Sequence, residues 1–104
     1  MKGINVTLTK FALTRIEEIY DYIFTESGSH RVAYKMIDRI LSRSEMLALH
    51  PKSGQIEPLL NTSDQQSRYL VEGSYKIIYQ HHLDKIIITD IFHCSQDPEK
   101  MKPQ

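Results

Sequence analysis

The chain has 104 residues, a length that suits one domain over 1–104. Thirteen Lys and Arg balance thirteen Asp and Glu, so the net charge is zero; this excludes bulk electrostatic capture of nucleic acid or anionic membrane and leaves only local patches. A lone Cys94 excludes an internal disulfide and points to a reducing cytoplasm. No apolar run is long enough for a bilayer, and no leader is expected, because no long apolar run follows a basic start.

The first element is a strand. "INVTLT" (residues 4–9) alternates Ile4, Val6 and Leu8 with polar residues, the pattern of a half-buried strand. Thr9 is placed to cap a helix. From Phe11 the apolar residues Ala12, Ile16, Ile19, Tyr20 and Ile23 recur at helical spacing. "SGS" (residues 27–29) breaks this helix and supplies a serine cap for a second. That second helix carries Ala33, Met36, Ile37, Ile40, Leu47 and Ala48 as its apolar stripe, and "HPKSG" (residues 50–54) ends it. So short a break predicts an antiparallel helical hairpin. Arg31, Lys35, Arg39 and Arg43 recur every four residues along the second helix. A solvated face paired across the hairpin is favoured over a nucleic-acid patch.

The remainder predicts sheet. "IEPLL" (residues 56–60) is a short strand entry, and "NTSDQQS" (residues 61–67) is a polar loop. "RYLVE", "YKIIYQHH" and "KIIITDIFHC" then form an antiparallel meander. Gly73-Ser74 fits a two-residue type II′ turn, with Gly in its first central position. This turn pairs Glu72 with Tyr75, Val71 with Lys76, Leu70 with Ile77 and Arg68 with Tyr79. A reversal at Leu83-Asp84 then pairs Tyr79 with Ile88 and Lys76 with Ile91. One face carries Leu70, Tyr75, Ile77, Tyr79, Ile86, Ile88 and Phe92, with Arg68 and Asp90 among them. It is the more apolar face, so it is expected under the helices. The other carries Tyr69, Val71, Lys76, Ile78, Gln80, Ile87, Thr89, Ile91 and His93, and is expected to be the working surface. A one-residue slip would exchange these sets. Arg68 is expected to pair with Asp90 or a carboxylate of the first helix. The predicted class is α+β: an N-terminal strand, a helical hairpin, then a three-to-four-stranded antiparallel meander covered on one face by the helices.

His81, His82, His93 and Cys94 invite a metal reading. Neighbouring strand residues point to opposite faces, and no C-x-x-C or H-x-x-x-H spacing occurs, so no metal site and no cofactor are expected. Cys94 reads as a small strand residue.

The layout resembles the RelE/ParE superfamily of toxins from type II toxin–antitoxin systems. Three pieces carry the resemblance: "IEEIYDYI" (residues 16–23), "RYLVEGSYKIIY" (residues 68–79) and "IIITDIFHCSQDPEKM" (residues 86–101). It implies a toxin neutralised by a partner antitoxin, with plasmid stabilisation and growth inhibition as its setting. RelE-like members cut mRNA in the ribosome; ParE-like members poison DNA gyrase. The nuclease branch resembled here carries an arginine where this chain has Lys76, and a lysine lacks the bidentate fork that suits phosphate. Its later basic pair corresponds to Ser95 and Gln96, and its late tyrosine is missing, since none follows Tyr79. Lys76 and His93 are the remaining catalytic candidates, His93 as acid or base. The resemblance therefore lies nearer ParE, a toxin that acts by binding. Tyr69, Lys76, Gln80, His93, Ser95 and Gln96 are candidate target contacts. Arg31, Lys35, Arg39 and Arg43 are candidate antitoxin contacts, with any unpaired sheet edge as a second docking place. The rival readings are a ribosome-dependent mRNA endonuclease and an inactive member that binds only its antitoxin.

Overall fold

A computed structural model describes residues 4–60 and 66–94. Strand β1 (Asn5–Leu8) leads into helices α1 (Lys10–Ser27) and α2 (His30–Glu45). Strands β2 (Gln55–Ile56), β3 (Ser67–Glu72), β4 (Tyr75–His82) and β5 (Lys85–His93) come after them. They form one five-stranded sheet in the order β1-β5-β4-β3-β2. β2 to β5 are the expected antiparallel meander. β1 adds at the edge and runs parallel to β5, which makes the sheet mixed.

The helix boundaries arise from their caps. The Thr9 side chain accepts from the Ala12 N–H at 3.0 Å and opens α1. Gly28 closes it in the left-handed region at φ +67°, donating its N–H to the Phe24 carbonyl. Ser29 then caps α2 by accepting from the Val32 N–H. Two residues thus suffice to reverse the chain. α2 stops at Glu45, earlier than its apolar stripe suggests. Met46–Ala48 tighten into a 3₁₀ turn that still buries Leu47.

The main core lies between the helices and the sheet. Ala12, Ile19, Ile40 and Leu47 meet Leu70, Ile77, Tyr79, Ile86, Ile88 and Ile91. Each such Leu or Ile side chain contributes about 1.5–3 kcal/mol by leaving water. A smaller cluster of Ile78 and Phe92, backed by Leu60 and Tyr69, forms apart from this core.

The β3–β4 register is as the turn predicts, from Glu72 opposite Tyr75 through Arg68 opposite Tyr79. Gly73 has φ +59°, and Gly28 is the sole other described residue with positive φ, which fits a type II′ turn. Tyr79 also pairs with Ile88 as expected. The expectation fails one step further. Ile78 faces Asp90, so Thr89 is an extra residue, a β-bulge, and Lys76 lies opposite Phe92 rather than Ile91. The bulge exchanges the faces of the last residues of β5. Ile91 joins the main core, Phe92 joins the smaller cluster, and His93 comes level with Tyr75. Asp90 is wholly buried and accepts from Arg15 of α1 at 3.0 Å. Arg68 instead donates to the Gly54 carbonyl at 2.9 Å.

Candidate functional site

Two surfaces gather the polar side chains. The first is a groove on the helix side of the sheet. Helical spacing aligns Arg15, Glu18, Ile19 and Tyr22 on one stripe of α1, above Tyr75 and His93, around a cavity of about 330 Å³. The same spacing aligns Val32, Lys35, Met36 and Arg39 on α2, beside a second cavity of about 340 Å³. Tyr75 and His93 border both cavities. Their rings meet edge to face, with centroids 5.1 Å apart. Burial, and then the neighbouring Tyr22, raises the Tyr75 pKa above its ordinary value, so its hydroxyl stays protonated.

The groove mixes apolar side chains with the charged Arg15, Glu18, Lys35 and Arg39. Lys35 is exposed, and Arg39 donates twice to Glu72 Oε2, at 2.8 and 3.2 Å. Arg15 is held by Asp90 and Glu18. Arg31 and Arg43 lie outside both cavities. Arg31 is exposed, while Arg43 is half-buried and directs Nη1 toward Met46 Sδ. Of the four candidate antitoxin contacts, the groove therefore takes in two.

The second surface surrounds Lys76. Its Nζ lies 3.2 Å from Glu57 Oε2 and 4.4 Å from the centre of the Tyr69 ring. Tyr69 donates its hydroxyl to Gln55 Oε1 at 3.0 Å. Gln80 is buried, with Oε1 3.2 Å from His82 Nε2, and so presents little to a partner. Tyr69, Lys76 and Gln80 belong to this region, whereas His93 belongs to the groove. Ser95 and Gln96 lie outside the described residues. Lys76 and His93, the two catalytic candidates, are thus separated by the sheet. An acid–base pair acting on one phosphodiester needs both groups within hydrogen-bond reach of the reacting atoms, and this arrangement does not supply it.

Glu57 carries no sequence signal of its role. It sits in "IEPLL" as one acid between an isoleucine and a proline, and nothing in that spacing points to burial. Tyr75 has the pattern of a core residue, yet it also floors the groove. Among the described residues no three His, Cys, Asp or Glu side chains cluster to hold a metal, and no helix is long and apolar enough to cross a membrane.

Residues 6–98 match the family model of the ParE toxin of the type II toxin–antitoxin system parDE. No curated protein matches the chain. Among solved structures, a chain of the chromosomal ParDE toxin–antitoxin system from P. aeruginosa superposes with a TM-score of 0.71 at 18% identity, covering 88% of this chain and 96% of that one. A chain of the archaeal RelE–RelB complex from Pyrococcus horikoshii OT3 superposes with a TM-score of 0.58 at 16% identity, covering 91% and 99%. At such identities these superpositions speak for the fold.

Proposed function

The chain belongs to the ParE toxin family of type II toxin–antitoxin systems, and from that premise we propose that it halts growth by binding a protein target such as DNA gyrase. The observation that carries the binding reading is the separation of Lys76 from His93 by the sheet, which keeps these two candidates from acting as one nuclease pair. In this reading the toxin works in the cytoplasm, and a cognate antitoxin neutralises it.

The groove suits the antitoxin. Its floor of Ile19, Met36 and Tyr75 offers apolar surface, and Lys35 and Arg39 on its rim favour an acidic, amphipathic segment. Arg31 is exposed on the same helix but lies outside both cavities.

Induced expression is expected to arrest growth, and co-expression of the adjacent small open reading frame to relieve the arrest. Purified protein is expected to inhibit gyrase supercoiling and to leave ribosome-bound mRNA intact. Cleavage of that mRNA, lost on Lys76→Ala, would replace this reading with the nuclease one. A tight antitoxin complex without growth arrest would mark an inactive member.

A further inference from the structure

Glu57 is an acid that the fold takes almost entirely out of water, with 2% of its surface exposed. It lines neither cavity of the groove. It lies just beyond β2, on a strap that starts at Gly54. Two side chains of this strap, Gln55 and Glu57, hold the two members of the Lys76 surface. Gln55 takes the Tyr69 hydroxyl and Glu57 takes the Lys76 ammonium.

A lysine beside an aromatic ring is a combination that single-stranded nucleic acid uses, with phosphate on the cation and a base on the ring. Here the anion position is already filled from within the chain. The strap is also firmly placed. The Gly54 N–H donates to Tyr79 Oη at 2.9 Å, and Glu57 donates its own N–H to the Ser67 carbonyl at 2.7 Å. Leu60 packs beyond it against Ile78 and Phe92.

We propose that Glu57 is a specificity determinant that occupies the anion position of Lys76 and closes the Lys76–Tyr69 surface to single-stranded nucleic acid. An incoming phosphate must displace a tethered carboxylate and leave it buried without this cation, which is costly. The chain's zero net charge supplies no long-range attraction to offset that cost. Glu57 thereby keeps a face that has a cation and a ring from acting as a nucleic-acid surface.

The test uses the full chain and a fluorescein-labelled ten-nucleotide oligouridine, read by anisotropy at low salt. Glu57→Gln is expected to bind about tenfold more tightly than the unaltered chain, and Glu57→Gln with Lys76→Gln to lose that gain. Equal binding by Glu57→Gln and the unaltered chain, or a gain that survives in the double variant, overturns the proposal. Should Glu57→Gln fail to fold, acetylation of the unaltered chain read by mass spectrometry decides. Lys76 is expected to react about tenfold more slowly than the exposed Lys35, as a masked amine should, and equal rates overturn the mask. Neither readout involves antitoxin or gyrase, so failure here is separate from failure of the toxin reading.

Discussion

On the helix side of the sheet, Tyr75 and His93 floor a groove that stays open between two helix stripes. Around Lys76, a cation and a ring stand equally ready, yet Gln55 and Glu57 already hold them. Both surfaces draw on β4, and Tyr75 and Lys76 are consecutive residues of it. Alternation sends one to each surface, and the fate of each residue depends on its cover. α1 and α2 leave space above Tyr75, whereas the strap sets the Glu57 carboxylate against Lys76. A surface of good composition becomes a binding surface only if the chain does not satisfy it first.

The sharpest way to break this comparison is to remove the cation. Lys76→Met leaves the buried Glu57 carboxylate without this ammonium and is expected to cost about 3 kcal/mol in urea unfolding. Glu57→Gln leaves a lysine whose side chain is 28% exposed and reachable by water, so its expected cost is nearer 1 kcal/mol. Equal losses would mean that the strap does not keep Glu57 from water.

A smaller effect is expected where the strap is anchored. The Tyr79 hydroxyl accepts from Gly54 and donates to the Pro51 carbonyl at 3.0 Å. Tyr79→Phe orphans both groups and is expected to cost about 2 kcal/mol. Tyr79 also has a raised pKa, because its burial outweighs the opposing Gly54 N–H and Arg68. A raised folded-state value means stability that is complete below the ordinary tyrosine pKa and lost as pH climbs above it. The unaltered chain should therefore weaken above about pH 10, and Tyr79→Phe should flatten that decline, as unfolding followed across alkaline pH would show.

The least expected change in stability lies on the groove rim. Lys35→Glu with Arg39→Glu breaks one exposed pair, Arg39 with Glu72, and should move stability by about 0.5 kcal/mol. Antitoxin affinity measured by calorimetry should nonetheless fall by about tenfold or more. Unchanged affinity would move the antitoxin off this groove.

How much of the molecule was legible in the sequence depends on how local each signal is. The caps Thr9 and Ser29 and the Gly73-Ser74 turn act over a few residues, so the helical hairpin and the β3–β4 register could be read directly. The bulge could not. Thr89 is an ordinary strand residue, and its extra place appears only once β4 and β5 are paired. That one residue moves His93 from the expected working face to the groove, and with it the composition of both surfaces. The parallel docking of β1 on β5 and the pairing of Glu57 with Lys76 are equally nonlocal, because their partners are set by topology rather than spacing.

The β1–β5 pairing also bears on how the molecule comes into being. Thr9 bonds to Thr89 across eighty residues of chain, and Val6 waits for Ile86. Contacts of such sequence separation are the slow ones to form, since loop-closure entropy is lost before packing compensates. During synthesis α1 and α2 emerge long before the strand that completes their floor. The groove, whose Ile91 and His93 lie at the end of that same strand, can exist only once nearly the whole described chain has been made.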